Sequence, residues 1–253
     1  MIDDLEKNID LPIDHPFLQL KQAFSENTGL RSETETALKA VLDRLNPSER
    51  GTRFLTGGAY EWVLAVACWV SGIKTLPGGH SQNGVDLLMY RESLKELWSV
   101  KSFTTASLSG ELRIINKMSS APVIFEHATI FISPALPGIV FFDPRLAPNF
   151  ASRTKQDDEK LTIQGKLIIQ YATLNPNCVI PFAAPLNPGN GRNSPQLDIV
   201  NTILTSGTYP SLGPVMTQMN KISTTVTFLK SQFENGKIDK KTFDDLLENL
   251  EKN

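Results

Sequence analysis

Three polar side chains lie in apolar surroundings between residues 57 and 105 of this 253-residue chain: Glu61, Asp86 and Lys101. Glu61 lies within an apolar run that predicts a buried helix, Asp86 follows a glycine-rich turn, and Lys101 ends a short apolar run. A buried carboxylate or ammonium group is costly unless it is paired or binds a metal ion. A helix acid, a strand acid and a strand lysine within one short span therefore indicate a hydrolytic metal site.

Hydrolysis of a phosphodiester needs a divalent cation held by oxygen ligands, and a water molecule that is oriented or deprotonated beside the phosphate. Asp86 can supply the main carboxylate ligand, and Glu61 can reach the metal directly or through a water. Lys101 is suited to position the attacking water and to offset developing negative charge. The cofactor that this chemistry predicts is Mg²⁺, with Mn²⁺ as an alternative.

The elements that must position these groups follow from the apolar patterns. Short apolar runs predict strands over residues 85–90 and 97–103, and residues 91–95 predict the turn of a hairpin that brings Asp86 and Lys101 close together. Gly57-Gly58 are expected just before the central apolar helix.

The remaining elements complete a prediction of the fold class. Further strands are predicted over 128–133, 138–142 and 178–182, and helices over 17–46, 111–118 and 157–173. Within the first of these helices, Ser32-Glu33-Thr34-Glu35 resembles a capping box. The order of helices and strands predicts an α/β or α+β fold in which helices flank a central mixed β-sheet.

Composition divides the chain into four parts. These are an N-terminal helical region over 1–50, an α/β core over 51–185, an irregular loop rich in Pro, Gly, Asn and Ser over 186–216, and a C-terminal helical hairpin over 217–253. The hairpin has helical patterns over 222–235 and 239–250 around the turn Asn235-Gly236. It resembles the short C-terminal oligomerisation module known as SHOCT.

Overall composition excludes several classes of protein. Hydrophobic residues make up 40% and charged residues 21%, which is ordinary for a soluble globular protein. The net charge of −2 argues against a protein that coats nucleic acid by non-specific charge. The absence of a long apolar run and of a signal-peptide pattern predicts a cytoplasmic protein with no membrane partner. Two cysteines and three histidines form no zinc-ligand spacing.

Residues 55–105 together resemble the PD-(D/E)xK nuclease superfamily, which includes many restriction endonucleases. The resemblance lies in a helix with an inward Glu61, the sequence Gly84-Val85-Asp86 at the start of a strand, and Lys101 on the next strand. It implies a restriction endonuclease-like core in which Glu61, Asp86 and Lys101 are catalytic. It also implies that the backbone carbonyl of Val100 is a metal ligand.

One position departs from that superfamily. Its acid-x-Lys motif reads Ser99-Val100-Lys101 here, and a serine hydroxyl is a far weaker metal ligand than a carboxylate. Three interpretations stay open at this stage. Glu61 or Glu96 compensates for the missing acid, or the Val100 carbonyl and a water complete the metal shell, or the site has lost its activity. Ser99 itself is counted among the candidate catalytic residues.

DNA contacts are expected from polar residues around the site. The candidates are a trio in the glycine-rich loop, two hydroxyls after Lys101 and an arginine in the irregular loop: His80, Ser81, Gln82, Ser102, Thr104 and Arg192. Cleavage of both strands needs two active sites, so a homodimer or higher oligomer is expected. The resulting hypothesis is a Mg²⁺-dependent DNA endonuclease of the type II restriction kind. The alternative is a non-catalytic DNA-binding or assembly protein that retains a nuclease-like fold.

Overall fold

The computed structural model describes residues 4–45, 53–77, 86–91, 94–103, 111–116, 127–157, 160–186, 200, 203–205 and 207–252. Within these residues the chain combines helices with a six-stranded mixed sheet. The prediction of an α+β protein with a central mixed sheet is confirmed at this level.

The strands form two sheets. In chain order they are β1 (Thr75–Pro77), β2 (Leu87–Arg91), β3 (Leu94–Ser102), β4 (Glu111–Asn116), β5 (Ala128–Ile132), β6 (Gly138–Phe142), β7 (Lys155–Asp157), β8 (Lys160–Gln164) and β9 (Val179–Pro181). The central sheet has the order β1-β2-β3-β5-β6-β9, and among the strands that the structure describes β3 and β5 are the one pair that runs parallel. The second sheet is antiparallel, with the order β4-β8-β7.

Helices pack on the central sheet and extend beyond it. They are α1 (Pro16–Glu26), α2 (Thr28–Arg44), α3 (Arg53–Val70), α4 (Pro148–Ala151), α5 (Gly165–Leu174), α6 (Leu212–Glu234) and α7 (Lys240–Lys252). Helix α3 contacts β1 and β3 of the sheet and also packs against α2 and α6. None of these helices, over the residues described, is both long and apolar enough to cross a membrane.

Successive residues of the β2–β3 hairpin lie on opposite faces of the sheet, and one face is largely apolar while the other carries polar residues. Leu87 and Met89 in β2, and Trp98 and Val100 in β3, are buried on one face. Leu87 pairs with Trp98 in the antiparallel register, so the residues between these four project to the opposite face. The polar residues singled out from the sequence belong to that opposite face.

The start of α1 covers the Trp98 face of the sheet. The His15 ring stacks on Trp98 with centroids 5.8 Å apart and meets Phe141 edge-on at 4.8 Å. Phe17 stacks on Phe141 at 5.1 Å. Because these rings are buried together, they fix α1 against the centre of the sheet.

The segment before α1 is tied to a distant part of the chain. The side chain of Asn175 is fully buried, and its Oδ1 accepts a hydrogen bond from the Ile9 amide at 3.0 Å. Its Nδ2 donates to the Glu6 carbonyl at 3.1 Å. The Asn8 amide donates to the Leu174 carbonyl at 3.0 Å. These bonds join the N-terminal segment to the end of α5.

One predicted helix is wrong, and a second is confirmed only in its C-terminal half. Residues 111–116 form strand β4, and the residues predicted as one helix over 157–173 include strand β8 before α5 begins at Gly165. Leu112 and Ile114 are buried at every second position, and Leu112 pairs with Ile163 of β8. That period of two belongs to a half-buried strand, whereas a helix would repeat its apolar residues every three or four positions.

The predicted capping box is also wrong, because residues 32–35 lie inside α2. The N-cap of α2 is Asn27, whose side chain accepts a hydrogen bond from the Leu30 amide at 2.9 Å. The Glu33 carboxylate instead accepts bonds from the amides of Ser211 and Leu212 at the start of α6. Glu33 therefore bonds to a distant part of the chain and not to the N-terminus of its own helix.

Two predicted boundaries shift for reasons of packing. Gly57 and Gly58 lie within α3 rather than before it. Helix α6 begins at Leu212, inside the segment predicted as a loop over 186–216, because Leu212 and Met216 are fully buried in the core. The C-terminal helical pair is present as α6 and α7, joined through Gly236 with a φ of 68°.

Candidate active site

Asp86 lies at the start of β2, where the hairpin aligns it with β3. Its amide donates a hydrogen bond to the Trp98 carbonyl at 3.0 Å. The register that pairs Leu87 with Trp98 continues by one residue, so Asp86 lies opposite Ser99. Strand alternation then puts Asp86, Ser99 and Lys101 on the same face of the sheet. The structure thus brings together the two residues that the predicted hairpin was expected to join.

A single carboxylate oxygen of Asp86 accepts three hydrogen bonds. Oδ2 lies 2.8 Å from Ser99 Oγ, 2.6 Å from the Val100 amide nitrogen and 3.1 Å from Lys101 Nζ. Bonds to an ionised partner are shorter and stronger than neutral ones. Among the described residues, every hydrogen bond to this carboxylate ends on Oδ2, so Oδ1 lies outside the network.

Glu61 brings a second carboxyl group from α3. It is 8% exposed, and burial raises its pKa to about 8. The Asp86 carboxylate contributes to the rise, whereas the Lys101 ammonium opposes it. Both partners are therefore close enough to act on Glu61 electrostatically. Without a cation between the carboxyl groups, Glu61 holds its proton at neutral pH.

The donor atoms at this site fit Mg²⁺. Carboxylate, carbonyl and hydroxyl oxygens are the ligands that hard divalent cations prefer. A cation between the two carboxyl groups would favour the ionised form of Glu61 and so let it act as an oxygen ligand beside Asp86. The part of the chain that the structure describes contains no cluster of three His, Cys, Asp or Glu side chains suited to a metal. The fit therefore depends on two carboxylates, with the Val100 carbonyl and waters to complete the shell, and Mg²⁺ commonly keeps several waters.

Glu96 cannot compensate for the missing acid at Ser99. It shares the face of Trp98, whose indole Nε1 donates to Glu96 Oε2 at 3.1 Å. Ser99 and Lys101 project from the other face of the same strand. The other acid considered from the sequence, Glu61, has a pKa that responds to the charges of Asp86 and Lys101.

The predicted DNA contacts are described only in part. Ser102 ends β3 beside α3, where a Cβ on Gly57 would lie 4.0 Å from the Ser102 Oγ. The other five lie outside the described residues: His80, Ser81, Gln82, Thr104 and Arg192.

The amide of Val100 is a functional group that the sequence did not reveal. It makes the shortest bond to Asp86, at 2.6 Å, yet the sequence suggested only the carbonyl of this residue as a participant. A backbone donor carries no side-chain signal. Only the register of β2 against β3 could have identified it.

Comparisons of the chain with protein-family models, with curated proteins and with solved structures found no match. The functional argument therefore rests on the geometry of Glu61, Asp86 and Lys101.

Proposed function

We propose that this protein is a Mg²⁺-dependent DNA endonuclease that hydrolyses phosphodiester bonds, with Mn²⁺ as an alternative cofactor. The observation that carries the proposal is the contact between Lys101 Nζ and Asp86 Oδ2 at 3.1 Å, beside the buried carboxyl group of Glu61. Two acids that can hold a divalent cation, with a lysine beside them, are groups that metal-assisted phosphodiester hydrolysis can use. A non-catalytic DNA-binding or assembly protein with a nuclease-like fold is the alternative.

The finer fold assignment belongs to the same proposal. We assign the chain a restriction endonuclease-like core. The support is the order in which Glu61 lies on a helix, Asp86 at the start of β2 and Lys101 on its antiparallel neighbour β3. That order is the one on which the resemblance to the PD-(D/E)xK superfamily is based.

Each residue has a distinct part in the chemistry. A bound Mg²⁺ supplies a Lewis acid for the phosphoryl oxygen and lowers the pKa of a bound water. In the reaction the water gives up a proton to the surrounding solvent as its oxygen forms a bond to phosphorus, the bond from phosphorus to the leaving sugar oxygen breaks, and that oxygen gains a proton from solvent. Asp86 and Glu61 would hold the cation. Lys101 places an ammonium group beside them, where it orients the water and offsets negative charge on the phosphate.

We propose in addition that the protein acts as a homodimer joined through α6 and α7. The last buried residue of α6 is Met219, and beyond it the helix contacts α7 rather than the core. Phe233 stacks on Phe243 at 5.1 Å, yet Phe228 is 60% exposed and Leu246 is 38% exposed. Two helices alone leave much of their apolar surface in water, and a second pair would cover it.

The nuclease proposal is tested by incubating plasmid and phage DNA with the purified protein and Mg²⁺ or Mn²⁺. The variants are Asp86→Asn and Lys101→Ala, and the matched control is Lys155→Ala. Lys155 is also a strand lysine, but its side chain is 65% exposed and it pairs with Glu111 at 3.2 Å, away from Asp86. We expect discrete fragments from the wild type and the control, and a loss of rate on the order of 100-fold or more in the other two.

Two results would contradict the proposal. One is the absence of cleavage with either metal across varied DNA. The other is cleavage that Asp86→Asn and Lys101→Ala leave unchanged, which would point to a contaminating nuclease. Binding of DNA without cleavage would favour the non-catalytic alternative.

A further inference from the structure

Ser99 holds the position at which the superfamily pattern has a carboxylate. Its side chain is nearly buried, at 3% exposed, so it occupies a fixed place in β3. A carboxylate only accepts hydrogen bonds, and the bond of 2.8 Å between Ser99 Oγ and Asp86 Oδ2 therefore has the serine as donor. The hydroxyl proton points at Asp86.

The three donors at Asp86 Oδ2 differ in how firmly they are held. The Val100 amide is part of the β3 backbone, and the Ser99 hydroxyl is buried next to it. Lys101 has a long side chain that is 25% exposed, so its ammonium group can leave for a water or a phosphate. Ser99 and Val100 are thus the two fixed anchors of the carboxylate.

The hydrogen bonds that hold Asp86 Oδ2 also fix the orientation of Asp86 Oδ1. With Oδ2 held by Ser99 and Val100, Oδ1 is the oxygen of Asp86 to which no described residue donates a hydrogen bond, and it is the one we assign to a cation. Partners that orient a metal ligand raise the affinity of the site, because the ligand does not have to be ordered when the metal binds.

We infer that Ser99 is a positioning residue, which presents Asp86 to the metal as a one-oxygen ligand through Oδ1 and is not a metal ligand itself. The inference rests on the proposed metal site. The site then has one negative charge fewer than the superfamily pattern, and the serine contributes through the orientation of Asp86.

The test measures Mn²⁺ binding by calorimetry and electron paramagnetic resonance, without DNA. Ser99→Ala removes the donor, and we expect Mn²⁺ affinity to fall by about 10- to 100-fold, as it does when partners of metal ligands are removed. Ser99→Thr keeps the hydroxyl and is expected to restore binding. The control is Ser133→Ala, because Ser133 is another fully buried serine whose Oγ accepts a hydrogen bond from the Ala135 amide, away from Asp86.

Ser99→Cys tests whether the side chain at position 99 positions Asp86 or binds the metal itself. Cysteine is close in size to serine, and its thiolate prefers Cd²⁺. We expect both Mn²⁺ and Cd²⁺ binding to weaken together in this variant. A selective gain in Cd²⁺ affinity would overturn the inference, because it would put the side-chain atom at position 99 in contact with the metal. Thermal unfolding of every variant identifies any that fails to fold, and Ser99→Cys, whose thiol is only a weak donor, then stands in for Ser99→Ala.

The outcomes distinguish this inference from the nuclease proposal. If Mn²⁺ binding depends on the Ser99 hydroxyl but no DNA is cut, the positioning role stands and the nuclease function falls. If DNA is cut and Ser99→Ala binds Mn²⁺ like the wild type, the positioning role falls alone. If the wild type binds no Mn²⁺, the inference is overturned.

Discussion

Glu61 is the residue whose chemistry depends most on its surroundings. Burial in α3 is the main cause of its raised pKa of about 8, and the nearby Asp86 carboxylate adds to the effect. The unfolded chain releases this proton near pH 4.5, the ordinary value for glutamic acid. Between these two values the folded protein therefore binds one more proton than the unfolded chain.

This difference predicts how stability depends on pH when a chelator removes divalent metals. The contribution of Glu61 is fully present below about pH 4.5 and is lost as the pH rises through about 8. For one proton, the free energy of unfolding should fall by about 1.4 kcal/mol per pH unit within that range. Glu61→Gln cannot titrate, so urea unfolding of both proteins should show a shallower pH dependence in the variant. Parallel curves would mean that Glu61 is ionised in the fold.

For single residues, which side chains come together could be predicted from the sequence more readily than the contacts that each one makes. Asp86 and Lys101 were conspicuous because charged groups beside apolar runs are expensive to bury. The exclusion of Glu96 was also within reach, since it is three positions from Ser99 and strand alternation puts the two on opposite faces. The donor role of Ser99 was not, because it depends on the register of β2 against β3 and on the rotamer of Asp86.

Helix α1 depends on a titratable N-cap. The Nδ1 atom of His15 accepts a hydrogen bond from the Phe17 amide at 3.1 Å, which satisfies a donor at the start of the helix. Burial lowers the pKa of His15, the carboxylates of Glu96 and Asp143 oppose this, and the guanidinium of Arg145 adds to it. Since a protonated ring has no free Nδ1 lone pair, protonation removes the cap.

The pH dependence of this cap has the opposite sign to that of Glu61. A lowered pKa means that the unfolded chain binds the proton first, so stability falls as the pH drops from about 6.5 through the pKa of folded His15. Asparagine is a good N-cap that does not titrate, and a lost cap costs about 1 kcal/mol. We therefore expect the melting temperature of the wild type to drop more on acidification than that of His15→Asn. Equal drops in the two proteins would count against a titrating cap.

Strands with a continuous run of apolar residues were predicted from the sequence. Elements that depend on tertiary partners were not. The strands over 128–132 and 138–142 contain no polar residue except Thr129 and are buried throughout, which makes them recognisable from the sequence. Strand β4 was missed because its short alternation only gains meaning when β8 pairs with it. The N-cap of α2 was misplaced because the acids of residues 32–35 serve distant amides, such as Glu35 with the Ala183 amide at 3.0 Å.

At the scale of the whole molecule, α6 belongs to two regions: the core and the C-terminal helical pair that it forms with α7. Its first turns belong to the core, with Leu212, Met216 and Met219 fully buried. Past that point α6 and α7 pack on each other and leave exposed phenylalanines. The Glu33 carboxylate of α2 accepts a hydrogen bond from the Leu212 amide at 3.1 Å, which anchors the first turn of α6 to α2.

Truncation separates the two regions. A chain that ends at residue 219 keeps the buried part of α6, so we expect cooperative unfolding like that of the full chain but a monomer in sedimentation velocity. A chain that ends at residue 211 loses three core side chains, at about 2–5 kcal/mol for each large apolar residue removed, and should not fold stably. A dimer that survives removal of residues 220–253 would show that the subunit contact lies elsewhere. A full-length monomer would contradict the dimer proposal itself.

The bond between Ile9 and Asn175 has a consequence for the order of events during synthesis. These residues are 166 positions apart, so the N-terminal segment emerges long before its partner exists. At roughly 5–20 residues per second, the delay on a ribosome is on the order of ten to thirty seconds. Leu5 and Ile9 are buried in the folded protein, and the bonds that join their segment to the end of α5 cannot form during that interval. Docking of the first segment onto the end of α5 can therefore occur only after Asn175 has been synthesised.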